Sequence, residues 1–163
     1  MSYVFLVIAL LAVVGFAAAK MSRTGTHEKW SFDARNTILD QYTTIRTRVI
    51  SCGINYPSGN NGTGFHIRFP ATPISTLVSD MVCPGQTLAN NLWTGVGGLT
   101  APVPPAGFSP WIYTNDGTSI RISLTAAVGT TDLQAMRVLN ATATKSGSIA
   151  TVVGPVLTIT LMI

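Results

Sequence analysis

Charge is what this chain has least of: ten Lys and Arg and six Asp and Glu in 163 residues. Beyond Arg48 the only charged residues are Arg68, Asp80, Asp116, Arg121, Asp132, Arg137 and Lys145. A surface made of Ser, Thr, Gly and Asn favours extracellular contact over cytosolic solubility through charge. The net charge of +4 does not define a nucleic-acid site, because the basic residues between Lys20 and Arg48 are interleaved with Glu28, Asp33 and Asp40. Mixed signs make a solvated helix face, not a phosphate-binding stripe. Catalytic signatures are also missing: there is no G-x-S-x-G elbow, no H-E-x-x-H pair and no G-x-x-x-x-G-K loop. The two cysteines, Cys52 and Cys83, have no CxxC spacing, and His27 and His66 stand far from each other. Neither a metal site nor a cofactor is expected, and the chain reads as a non-enzyme. No internal repeat is present.

What the chain does have is an uncharged apolar run, Tyr3 to Ala19, which spans roughly 25 Å if helical. Three readings are open for it. Ala17-Ala18-Ala19 suits a signal-peptidase site, but no basic segment precedes Tyr3. A membrane anchor is acceptable at the short end of spanning length, although Lys20 and Arg23 lie on the wrong side for exporting the C-terminus. A processed subunit that has lost a basic leader resolves that conflict. Gly15 and Ala19, four apart, would let neighbouring helices approach closely.

The segment Ser22-Arg23-Thr24-Gly25-Thr26 is a poor helix former, with Gly25 costing about 1 kcal/mol relative to Ala, so a kink is expected there. From Ile38 the pattern is clear. Ile38, Tyr42, Ile45, Val49 and Cys52 fall on one helical face, opposite Asp40, Thr44, Arg46, Thr47 and Arg48. Gly53 supplies the expected stop. The chain then divides into a long helix over 1–52, apolar over 3–19 and amphipathic over 38–52, and a β-rich head over 53–163.

Within the head, residues 55–64 read as a loop, and Phe65 to Phe69 reads as a short strand ended by Pro70 and Pro73. Ala101-Pro102-Val103-Pro104-Pro105 must be extended. Trp111 to Thr114 and Ser119 to Leu124 form a predicted hairpin across an Asp116-Gly117 turn. Thr131 and Asp132 predict the start of a helix reaching about Asn140, with Leu133, Met136 and Val138 or Leu139 inward. Val156 to Ile163 alternates, placing Leu157, Ile159, Leu161 and Ile163 on one face of a last strand. The expected fold is α+β, a long helix covering one face of a small antiparallel sheet, with a short second helix.

Asp80-Met81, Thr87-Leu88 with Asn90, and Trp93 with Gly97 and Gly98, following the amphipathic segment that ends at Ser51, resemble the type IVb pilins. The resemblance is nearest their thin-pilus branch, which is associated with conjugation. It implies a type IV pilin-like fold and a structural subunit of an extracellular pilus filament. The subunit would wait in the inner membrane, be handled by pilus assembly machinery, and join a helical homo-oligomer. Tyr3, Phe5, Leu6, Leu10, Val14, Gly15, Phe16 and Ala19 would line the filament core, while Ile38, Tyr42, Ile45 and Val49 pack the helix on the head. The family has a glutamate near its N-terminus, and this chain has no acid before Glu28. In an exported head Cys52 and Cys83 are expected to pair, the alternative being two buried thiols. The competing class is a membrane-anchored periplasmic or virion surface protein with a small β-rich binding domain.

Overall fold

The computed structural model describes the backbone of residues 2–62, 64, 66–70, 76–87, 92–93, 100–126 and 133–162; side chains are described from Thr26 onward, except at 133, 148 and 162. Among the described residues two α-helices and five strands are formed: α1 (Ser2–Asn55), β1 (Thr76–Leu77), β2 (Ile112–Asn115), β3 (Ile120–Thr125), α2 (Leu133–Ser146), β4 (Ala150–Val153) and β5 (Val156–Met162). The strands make one antiparallel sheet in the order β1-β2-β3-β5-β4.

Alternation decides the two sides of the sheet. Tyr113, Ile122 and Ile159 stand opposite one another on successive strands and are fully buried. Leu124, Leu157 and Leu161 extend the same apolar face. The other face carries Ile112, Thr114, Ser123, Thr125, Thr151, Thr158 and Thr160, and no helix lies over it among the described residues. The helices therefore share the apolar side. α1 contributes Ala34, Ile38, Ile45, Val49 and Cys52 to the core, and α2 contributes Ala135, Val138, Leu139 and the buried Thr142.

Polar helical residues are reconciled with the helix by bonding back one turn. Ser31, Thr43, Thr44 and Thr47 each donate a hydroxyl to the carbonyl four residues earlier, at 2.9–3.0 Å. Thr142 does the same to Val138 at 2.7 Å, which lets a hydroxyl sit in the core. This back-bonding lets α2 run past Asn140 to Ser146, and Gly147, at φ 71°, ends it in the left-handed conformation. The Thr131–Asp132 cap lies outside the described residues.

Two side chains join the layers. Gln41 on α1 accepts from Trp111 Nε1 at 2.7 Å through Oε1 and donates through Nε2 to the Val103 carbonyl at 2.7 Å, which straps the proline-rich connector against the helix. Pro70 O receives both the Tyr113 hydroxyl at 3.1 Å and Asn115 Nδ2 at 3.0 Å. The Cys52–Cys83 disulfide, with Cα atoms 5.4 Å apart, ties the end of α1 to the segment after the short 3-10 turn Val78–Asp80.

Several sequence expectations are corrected. α1 does not stop at Gly53 but continues to Asn55; a Cβ at Gly53 would meet the Phe69 ring at 3.3 Å, so this glycine serves close approach. Of the strand expected at 65–69, residues 66–69 form a turn instead, with His66 at φ 44° and Asn61 Nδ2 donating to the carbonyls of His66 and Phe69, while Phe65 lies outside the described residues. The Asp-Gly turn becomes a wider connection, because Asn115 pairs with Ile120. β4 was not anticipated; Gly154 at φ 56° and Pro155 turn it into β5.

The pilin-like fold is corrected as well. Among the described residues, no helix is long and apolar enough to cross a membrane. Where its side chains are described, α1 carries one narrow apolar stripe against its own sheet and exposes Glu28, Lys29, Asp33, Asp40 and Arg46. Such a face suits water, not lipid or a helix bundle. What the described residues support is a two-helix, five-strand open-sheet α+β domain. The pilus-subunit function, the inner-membrane stage and the extracellular filament are set aside with the fold that implied them.

Two outcomes are expected. Replacing both Cys52 and Cys83 with Ser should lower stability by about 3–4 kcal/mol in urea unfolding, since the bond closes a long loop; an unchanged midpoint would show that the loop is held by packing alone. The Asp116 carboxylate accepts backbone N–H groups of Ser119 and Thr118 and the Thr118 hydroxyl, and pairs with Arg121, all of which hold it well below the usual carboxylate range. Its contribution is thus complete above the ordinary carboxylate value and disappears as pH falls through the depressed one. The stability gap between the native chain and Asp116→Asn should be widest near neutrality and close in acid; a gap independent of pH would rule out this linkage.

Candidate partner-binding groove

Where α2 passes α1, the two helices leave an open groove of about 500 Å³ lined by His27, Glu28, Ser31, Phe32, Arg35, Gln134, Arg137, Val138 and Ala141. The volume falls within the range of ordinary ligand sites. On α1 the wall is built at helical spacing, from His27 through Ser31 to Arg35, with Phe32 beside it. On α2 it runs from Gln134 through Arg137 and Val138 to Ala141.

Phe32 is 57% exposed, a large apolar ring left outside the stripe that Ala34 and Ile38 bury. The Arg35 guanidinium lies 5.1 Å from its centroid, in cation–π range. Arg35 is half-buried, and its Nε is buried with no hydrogen-bond acceptor among the described residues. Arg137 is exposed on the facing helix. Arg121 pairs with Asp116 in the hairpin, and neither residue lines this groove. Trp30, one turn before Ala34, turns the other way and stacks on Phe108 with centroids 6.3 Å apart.

The sequence-derived residues fall elsewhere. Tyr3, Phe5, Leu6, Leu10, Val14, Gly15, Phe16 and Ala19 lie outside the residues whose side chains are described. Ile38, Ile45 and Val49 are buried against the sheet, with Tyr42 half-buried beside them. Of the motif residues, Asp80 is exposed and bonded to the Ser79 hydroxyl, Met81 is buried, and Thr87 is exposed. Trp93 is buried and donates Nε1 to the Val78 carbonyl at 2.6 Å. Leu88, Asn90, Gly97 and Gly98 lie outside the described residues. Trp93 and Met81 therefore act in packing, and none of the described motif residues lines the groove.

Other polar groups are committed to structure. Burial pushes the Tyr113 phenol far above its ordinary value, and its hydroxyl is used on Pro70. No cluster of three or more His, Cys, Asp or Glu residues that could hold a metal occurs among the described residues. Phe32, Arg35 and Arg137 were not singled out from sequence. The signal available was Phe32, an aromatic outside the apolar periodicity of its own helix.

The class these features define is a small disulfide-bonded α+β domain with a two-layer open sheet and a mixed apolar and cationic groove at its helix crossing. No family model, no curated protein and no solved structure matches the chain.

Groove and core should respond differently to substitution. Phe32→Ala and Arg137→Gln are expected to change stability by no more than about 0.5 kcal/mol, as exposed positions usually do. Ile45→Ala should cost about 2–5 kcal/mol, because the side chain is fully buried. Denaturant midpoints of the three variants check this; a large loss at Phe32 would make the ring a packing residue.

Proposed function

We propose that this chain is a non-catalytic binding module that holds a partner protein in the groove between α1 and α2. The observation that carries the reading is the exposed Phe32 ring capped by Arg35, in a concave surface where both helices present apolar and cationic side chains together. Exposed aromatics and arginines in such a recess are the residue types that dominate protein contacts. The disulfide supports a setting in an oxidising compartment. The poverty of charge outside the long helix fits recognition by shape and hydroxyl groups elsewhere on the surface.

A second reading, self-association, rests on β4. This strand forms one edge of the sheet, contains neither charge nor proline, and leaves Val153 76% exposed. Such an edge offers unpaired backbone groups to another copy.

One experiment separates the two. A photoreactive phenylalanine analogue is placed at Phe32 in one sample and at Val153 in another, and each is irradiated in the protein mixture of its native compartment. A defined heterologous adduct from position 32, absent from position 153 and lost on adding Arg137→Glu, is expected. An adduct of twice the chain mass confined to position 153 would replace the first reading with the second. Equal, heterogeneous labelling at both positions would sink both.

A further inference from the structure

Building on the groove as the docking site, we infer that its occupant is a short acidic segment of the partner, whose carboxylate engages Arg35 and Arg137 while a neighbouring apolar side chain rests on Phe32, Val138 and Ala141. The first support is the state of Arg35. Its Nε–H is buried and has no acceptor among the described residues, so this donor has given up water without gaining a hydrogen bond. Buried polar groups are nearly always satisfied, and because Arg35 lines the groove an acceptor arriving there can reach this donor once the side chain turns toward the recess. The guanidinium lies over the Phe32 ring and carries a planar fork of donors that matches a carboxylate.

Charge selects the acceptor. The groove lining holds two arginines, Arg35 on α1 and Arg137 on α2, against one glutamate, Glu28 on α1, and neither arginine has an ion-pair partner among the described residues. The surplus suits a single negative charge. A phosphate dianion would meet Glu28 with twice the repulsion and would make no use of the apolar wall of Val138 and Ala141. A carboxylate carried on a chain that also bears an apolar side chain uses both halves.

Length selects a short segment. From His27 to Arg35 the α1 wall is about 12 Å long, at a rise of 1.5 Å per residue. An extended chain advances about 3.3 Å per residue, so three or four residues fill it.

The test uses the full chain, 15N-labelled, and a capped Glu-Leu-Glu-Leu tetrapeptide, followed through the arginine Nε–H signals. Saturable movement of the Arg35 Nε–H signal is expected. Affinity should fall about tenfold or more for the Gln-Leu-Gln-Leu counterpart, as loss of a charge-assisted hydrogen bond predicts. Arg35→Lys, which keeps the charge but lacks Nε–H, should weaken binding comparably, and so should Arg137→Gln, which lies on the surface and leaves the core intact. Equal binding of the Gln peptide, or an equal response to inorganic phosphate at the same concentration, would overturn the carboxylate assignment. Absence of any response to the acidic peptide, while the Phe32 cross-link to a partner persists, would overturn the ligand class and leave the groove reading standing. Loss of both would remove the groove itself.

Discussion

The buried stripe on α1 needs a surface to lie on, and the sheet provides it only if the end of the helix stays in register. Cys52 closes that stripe, and its bond to Cys83 holds the last turns of α1 against the segment that follows β1 and the 3-10 turn and leads toward Trp93. Gly59 shows how closely the two pieces approach: a Cβ there would stand 2.8 Å from the Pro84 carbonyl. With the helix end set, Ile38, Ile45 and Val49 meet Tyr113, Ile122 and Ile159 across one interface, and Gln41 falls where it can serve both Trp111 and Val103. A two-layer domain of this size has little core to spare. The covalent tie and the Gln41 strap supply order that apolar area alone would not.

The groove is a product of the same constraint. α1 is placed by its stripe and its disulfide, α2 by Ala135, Val138, Leu139 and Thr142, and the recess is what remains where their remaining faces diverge. Because Val138 belongs both to the core and to the groove wall, the site rests on a rigid part of the fold. A site supported in this way meets its partner with little reorganisation.

Elements with a strong period are legible in the sequence. The β2–β3 hairpin and β5 alternate cleanly because one face is buried and the other is not, and the spacing of Ile38, Ile45 and Val49 marks the side of α1 that packs. β4 escapes because Ala150-Thr151-Val152-Val153 is short and lies at an edge, where alternation is weak. The segment at 65–69 misleads because its β-favouring composition is overridden by Asn61, whose amide organises the loop from a distance. The pilin resemblance rested on a string of residues around Asp80 to Trp93 that sets local packing but no topology. The groove is hidden for a different reason: Arg35 and Arg137 lie far apart in sequence, and only the crossing of two helices brings them to one recess.

The loop built by Asn61 has a bearing on modification by sugars. Asn61-Gly62-Thr63 and Asn140-Ala141-Thr142 both match the acceptor pattern for N-linked glycans. The amide of Asn61 is spent on two carbonyls, so a glycan at that position would have to be attached before the loop closes and would prevent its closing. Asn140 is exposed on α2, and its amide serves only the preceding turn of its own helix. A sugar there would stand beside Ala141, at the rim of the recess, and would act as a gatepost for whatever enters.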